Sequence, residues 1–364
     1  MIKQFNPSRL KLARTRRQLT LKALAEKVGL TPRMVSEYEK KYCEHVPPEQ
    51  TINAFSDALR YPESFFFISD DIEEVSPDTV SFRSLKSMKA AQQHAAIGAG
   101  SIALLINNYF ESNFNLPSVN IPDLRGLSPE AAADTIRELW KLGSQSISNM
   151  IHLLELHGVR VFSLAENTQS VDAFSFWKDD IPYVFLNTQK SGERSRFDAA
   201  HELGHLILHR HGIPQGKDLE TEADQFAAHL LMPKKTVLAH SNRYISIEDI
   251  IKLKQNWKVS AMALIVHMKN IDGITEWHHR NLIIEASKLG LRSKEINGIE
   301  RESSLLIEKL LNSLKLEGVS LKDIANYLSL PLEELTNLLF KVGVISGSDT
   351  PTPPPNKPKL RLVN

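Results

Sequence analysis

The 364-residue sequence contains one cysteine, Cys43, which excludes an internal disulfide framework and a multi-thiolate zinc site and points to a reducing compartment. Long apolar runs are also missing. Stretches such as Ile102 to Ile106 and Val184 to Leu186 fall far short of the roughly 20 residues a spanning helix needs, so no membrane partner is expected. The basic N-terminus MIKQFNPSRLKLARTRR has no apolar segment after it, which is not the pattern of a secretion signal, and a cytoplasmic location is the expectation. Net charge is nearly absent: Lys and Arg number 44 against 43 Asp and Glu, a formal +1, so any nucleic-acid surface has to be local. With 42% hydrophobic residues the chain can bury a sizeable core, and its length suggests two or three domains.

Charge is concentrated at the start. From Met1 to Tyr42 there are eleven Lys or Arg and three acids, a local excess of eight. Leu21, Leu24, Ala25 and Val28 recur at helical spacing behind Thr20, a suitable N-cap, and the pattern stops at Gly29. Pro32 then suits the first position of a second helix carrying Arg33, Met34, Ser36 and Glu37. The spacing predicts a helix-turn-helix.

Beyond it the sequence divides into a 71–125 connector containing a helix around Ala90 to Phe110, a 126–240 segment, a 241–345 helical region with a second helix-turn-helix-like stretch, and a Pro-rich 346–364 tail expected to be extended or disordered. Ser128 and Pro129 open a helix, and another runs from Ile147 to Leu156. VRVFSL, DAFSFW and PYVFLN read as three short strands. The expected fold class is α+β, mainly α with a small β-sheet.

The most specific signal is His201, Glu202, Leu203, Gly204, His205 inside RFDAAHELGHLILH. On a helix the two histidines are rotated by about 40° and separated by roughly 6 Å of rise, so both imidazoles reach one metal ion. Glu202 then lies beside that ion as an unligated carboxylate able to accept a proton from water and return it to a leaving amine. A third ligand is required. His211 has the spacing of the longer H-E-x-x-H-x-x-G-x-x-H arrangement, but Leu208 stands where that arrangement needs a helix-breaking Gly. In LETEADQFAAHLLMP, Glu220 and Asp224 share one face and Glu222 another. Glu220 is the chosen ligand, because its spacing to Asp224 also places an acceptor for the second N–H of a ligand histidine; Glu222 is the reserve. Two histidines and one carboxylate leave an open position, the catalytic form of a Zn²⁺ site. His209, His211 and His229 are read as surface or helix-end residues, Arg194 and Arg196 as a solvated basic turn, and Phe176 and Trp177 as sheet core.

RSRFDAAHELGHLILH followed by ETEADQFAAHLLMP resembles the ImmA/IrrE family of metallopeptidases, as do the upstream FRS, DAFSFW and PYVFLN segments, over roughly Ser81 to Trp257. The resemblance implies a zincin-like fold, zinc, and cleavage of DNA-bound repressors in stress or mobile-element control. By motif position His201, His205 and Glu220 match the family's metal ligands and Glu202 its catalytic acid–base; where the family often has Asn, this chain has Asp224. The first 70 residues resemble the XRE (lambda-repressor-like) DNA-binding domains. That geometry implies base contacts from Arg33, Met34, Ser36 and Glu37, phosphate contacts from Arg14, Arg16, Arg17 and Lys22, and a homodimer on double-stranded DNA. Glu37 and Glu39 on the presumed reading helix leave protein docking open as an alternative. The function expected is a DNA-binding zinc endopeptidase that cleaves a regulatory protein; the rival is a transcriptional regulator or antitoxin whose peptidase-like domain binds without turnover.

Overall fold

The computed structural model describes residues 4–41, 46–69, 75, 80–82, 89–164, 172–209, 217–242 and 244–342. The acidic stretch at 70–74, His211 and the Pro-rich tail lie outside the described residues.

Near the N-terminus Thr20, Gly29 and Pro32 act as read, and Asn6 and Thr31 add caps that were not singled out. Helix α1 (Pro7–Arg16) is capped by Asn6, α2 (Leu21–Val28) by Thr20, whose hydroxyl accepts from Ala23 N, and α3 (Pro32–Tyr38) by Thr31, which accepts from Met34 N. Gly29 ends α2 at φ +70°, a conformation that a side chain would strain. Helix α4 (Glu49–Leu59) and a 3₁₀ turn at Glu63–Phe67 close over Leu24, Val35, Phe55 and Phe65.

Helix α5 (Ala90–Asn113) differs from the connector expected at 71–125. Its Ala95, Ala96, Ala99, Ile102, Ala103 and Ile106 are buried, and it packs against α1 on one side and against the sheet on the other. Helices α6 (Pro129–Leu139) and α7 (Met150–Leu156) follow; α6 starts behind Ser128 and Pro129 as expected, whereas α7 starts three residues later than read, where Asn149 caps it.

The sheet has four strands, β1 (Ser81–Phe82), β2 (Arg160–Leu164), β3 (Ala173–Lys178) and β4 (Ile181–Asn187), in the order β1-β3-β4-β2. Strands β2 and β4 are parallel, with Val161 opposite Val184, and the other pairs are antiparallel. Alternation separates two buried faces. Phe162, Phe174, Phe176, Tyr183 and Phe185 form a stacked aromatic face in the cluster shared with α5, where Asn107 Nδ2 donates to Tyr183 Oη. Val161, Ala173, Trp177, Val184 and Leu186 face the second cluster, which holds α8 (Gly192–Leu208) and α9 (Lys217–Leu231). Phe176 and Trp177 are thus sheet core, as read.

Five helices, α10 (Lys234–His240), α11 (Ile247–Leu253), α12 (Ala261–Asn270) and α13 (Glu276–Lys288) among them, continue that second cluster through Ile250, Leu264 and Leu282, with α9 as the fifth. Helices α14 (Leu305–Leu316), α15 (Leu321–Tyr327) and α16 (Leu332–Leu338) instead rejoin the first cluster, so the C-terminal region divides between two cores. Two buried carboxylates fasten it. Glu155 of α7 accepts from Ser304 Oγ and from the backbone of Leu305 and Leu306, satisfying the open N-terminus of α14. Glu334 of α16 receives Arg16 Nε at 2.6 Å and Arg17 Nη1 at 3.0 Å.

Candidate functional site

Helix α8 carries the H-E-x-x-H residues between the sheet and α9. Ser191 caps it, accepting from Arg194 N, and nearly all of its length is buried. Gly204 permits the close crossing: a Cβ there would lie 3.1 Å from Phe226 Cδ1 and 3.2 Å from Ala223 Cα on α9. The crossing brings the first turn of α9 to the histidines.

His201, His205 and Glu220 come together as a group that can hold a metal ion. His201 Nε2 and His205 Nε2 are 3.0 Å apart, and each lies 3.3 Å from a Glu220 oxygen. Tetrahedral ligands about 2.0–2.1 Å from zinc are separated by about 3.3 Å, so the triangle fits such an ion. Protonation fits as well. Burial pushes His205 down to about 4, against the raising effect of Glu220, leaving a neutral imidazole. Burial also raises Glu220, but hydrogen bonds from His201 and His205 outweigh it and hold the carboxyl down to about 2. A neutral imidazole and an ionised carboxylate are the forms a metal takes.

Glu202 is fully buried beside this triangle. Its Oε2 accepts a 2.6 Å hydrogen bond from Ser175 of β3, while Oε1 has no hydrogen-bond partner among the described residues. Burial pushes its pKa up to about 8, opposed by His201 and by the Ser175 hydroxyl. Ser175 was not singled out from the sequence. Its signal is the strand alternation, which turns it away from Phe174 and Phe176 toward α8.

The outer nitrogens of the two histidines are held differently. His201 Nδ1 lies 2.8 Å from Asp224 Oδ1. His205 Nδ1 lies 3.0 Å from His209 Nδ1, and His209 Nε2 lies 2.8 Å from Glu222 Oε2. Glu222, the reserve ligand, is therefore engaged with His209 and is not part of the metal-competent triangle. His209, read as a helix-end residue, has a side chain only 7% exposed. His229 is half-buried, its ring 4.9 Å from that of His267, which corrects the surface reading. Arg196 is also corrected: it is buried, pairing with Glu302 and donating to Ile147 O, because its position on α8 faces the core and not a solvated turn. Arg194 remains exposed and approaches Asp172 at 3.4 Å.

In the helix-turn-helix, Arg33, Met34 and Glu37 are exposed on α3 and Ser36 is half-buried. Glu37 pairs with Lys40 at 2.7 Å. Lys22 is exposed beside Glu26. The other three phosphate candidates are corrected. Arg16 is buried on Glu334, Arg17 reaches the same carboxylate and lies over the Tyr61 ring, and Arg14 makes a two-pronged pair with Glu39 at 2.6 and 2.7 Å. Arg16 is thus buried, while Arg14 and Arg17 are half-buried and already paired with carboxylates.

Residues 154–269 match the family described as the IrrE N-terminal-like domain, a peptidase family, and residues 10–66 match the helix-turn-helix family. The chain joins a helix-turn-helix domain to an IrrE-like, metallopeptidase-like domain. Among curated proteins, none matches the chain. Among the described residues, no helix is long and apolar enough to cross a membrane.

Proposed function

We propose that this protein is a zinc-dependent endopeptidase that binds double-stranded DNA, acts in the cytoplasm and regulates transcription by cleaving a repressor or other regulatory protein, in stress or mobile-element control. The single observation that carries the reading is the His201, His205, Glu220 triangle, with edges of 3.0 to 3.3 Å, set beside the buried and unpaired Oε1 of Glu202. Zinc, held by those three residues, would supply Lewis acidity toward a scissile carbonyl and toward water. A cation held by the triangle would favour the ionised form of Glu202 against the effect of burial, and in that form Glu202 takes the proton of the attacking water at Oε1 and hands it to the leaving amine. Ser175 keeps Oε2 turned away, so the carboxylate presents one oxygen to the reaction. Asp224 fixes the His201 ring by accepting its Nδ1–H. DNA recognition is assigned to α3, with Arg33, Met34, Ser36 and Glu37 toward bases and Lys22 toward a phosphate, in a homodimer reading two half-sites.

A second reading has one observation in its favour: His201 and Glu202 are fully buried, which suits a domain that binds a partner without turnover, as in a regulator or antitoxin. Glu202→Gln separates the two. It preserves side-chain size and is not a ligand, so zinc content and DNA binding should persist while cleavage of transcription factors encoded beside the gene falls by about 10² or more. A Glu202→Gln protein that fully complements loss of the gene in cells would overturn the peptidase role in favour of the regulator.

A further inference from the structure

The two histidines of the triangle are not held alike, and the difference lies beyond the ligand set. His201 is braced directly by a carboxylate, Asp224. On its outer, Nδ1 side His205 is braced by a second imidazole, His209, which in turn reaches the carboxylate of Glu222.

We propose that His209 and Glu222 form a positioning relay that sets the tautomer and ring orientation of His205 for metal binding; the proposal rests on the metal-centre reading above. The Nε2 atom of His205 faces the triangle, 3.0 Å from His201 Nε2 and 3.3 Å from Glu220 Oε1. A neutral ring that offers Nε2 as a lone pair carries its proton on Nδ1. That proton points at His209 Nδ1, 3.0 Å away, which accepts only if the His209 proton sits on Nε2. His209 Nε2 in turn is 2.8 Å from Glu222 Oε2, and an ionised carboxylate is an acceptor only. The order of donors is therefore set from the outer end: Glu222 orients His209, and His209 orients His205.

The backbone fixes the spacing. His209 follows His205 by one helical turn and caps α8, its N–H donating to His205 O at 3.0 Å, so its ring is anchored directly beyond the ligand. The rings are inclined at 54° with centroids 5.2 Å apart, an arrangement in which the nitrogen-to-nitrogen contact and not stacking joins them. Helix α9 thus supplies Glu220 to the triangle and both outer acceptors, Asp224 and Glu222, which makes the α8–α9 crossing a single device for ligand and brace.

The test uses full-length protein, with zinc affinity measured by chelator competition and the visible spectrum of the Co²⁺-substituted form as a probe of ligand geometry. The wild type should take up about one zinc per chain; failure to bind any overturns the metal reading and this proposal with it. His209→Ala and Glu222→Ala should still bind one zinc at saturation, with affinity lowered by about 10- to 100-fold and an altered Co²⁺ spectrum. Glu222 has a side chain 47% exposed, so its variant tests the relay without a packing defect. His209→Asn, which keeps an acceptor opposite His205 Nδ1, should recover part of the affinity, whereas His209→Phe, which keeps only bulk, should not. Wild-type affinity and spectrum in His209→Ala would overturn the relay while leaving the metal centre standing. So would recovery by Phe and not by Asn, since packing alone would then account for His209.

Discussion

Arg16 and Glu334 stand 318 positions apart in the chain and meet in a 2.6 Å ion pair with both side chains almost fully buried, 4% and 3% exposed. The helix-turn-helix is thereby fastened to the last helix described. Removing one partner of a buried pair leaves a charge without compensation and typically costs about 3–5 kcal/mol. Glu334→Ala strands two arginines at once, so the expected loss lies in that range. Urea unfolding of the full chain checks it, and a loss below about 1 kcal/mol would show that the pair is not a structural fastener.

The same pair changes what DNA binding should depend on. Each phosphate contact contributes a slope of about 0.9 to the fall of log affinity with log salt. Arg33→Ala and Lys22→Ala should weaken duplex binding, and Lys22→Ala should reduce the salt slope by about one. Arg14→Ala should leave the slope unaltered, because its guanidinium is already paired with Glu39. Titrations at several salt concentrations decide this, and an unchanged slope in Lys22→Ala together with a reduced one in Arg14→Ala would reverse the assignment.

What could be read from the sequence follows the range of the interaction. Thr20, Gly29 and Pro32 act within one turn of themselves, so the cap, the break and the helix start they set were legible from spacing alone. The four-residue offset of His201 and His205 was equally local, and the helix that realises it is where it was expected. Basic residues at 14, 16 and 17 gave a correct local charge and a misleading role, because Glu39 and Glu334 are brought to them only by tertiary folding. Helix α5 was taken for a connector because its apolar residues, many of them small, lack the one-sided pattern of a surface helix; it packs against α1 and against the sheet. Ser175 escaped notice, and Glu222 was read only as a reserve ligand, for a related reason: a serine in a strand or a glutamate on a helix acquires its task from the side chain across the packing interface.

Ser175 holds Glu202 Oε2 at 2.6 Å, and the hydroxyl is the one hydrogen-bond donor to that carboxylate among the described residues. Ser175→Ala should keep zinc, since it touches no member of the triangle, yet lower the cleavage rate by about 10- to 100-fold through loss of carboxylate orientation. Zinc analysis alongside turnover of the cleaved regulator distinguishes this from general damage. Wild-type turnover would remove Ser175 from the reaction.

Gly204→Ala sets two effects of known size against each other. Alanine in a helix interior is favoured over glycine by about 1 kcal/mol. The new Cβ would press within 3.2 Å of the Ala223 backbone and 3.1 Å of Phe226, and overpacking of a core contact typically costs about 1–3 kcal/mol. Because a helix backbone yields less easily than a side-chain tip, overpacking should win and stability should fall by about 1 kcal/mol. Zinc affinity should fall with it, since the same crossing distance sets Glu220 against the histidines. A Gly204→Ala protein more stable than wild type would mean that α9 gives way at this contact.

Glu155 carries a pH dependence that is separate from the metal site. Burial raises its pKa from 4.5 to about 7, although Ser304 and the backbone of Leu306 and Leu305 oppose the shift by donating to it. The folded protein therefore holds a proton on this carboxyl in a range where the unfolded chain has released it. Stability changes with pH in proportion to protons bound unfolded minus protons bound folded, which is negative here, so this group's contribution falls as pH rises from 4.5 toward 7. Its span is on the order of 3 kcal/mol, since one pKa unit corresponds to about 1.4 kcal/mol. Glu155→Gln has no proton to lose and should remove that component. Urea unfolding at pH 5.0 and pH 7.5 should accordingly show wild type and Glu155→Gln drawing apart, with the variant gaining relative stability at the higher pH. If the difference between the two proteins is the same at both pH values, the α14 N-terminus and Ser304 stabilise the ionised carboxylate fully, and burial is not the dominant influence on Glu155.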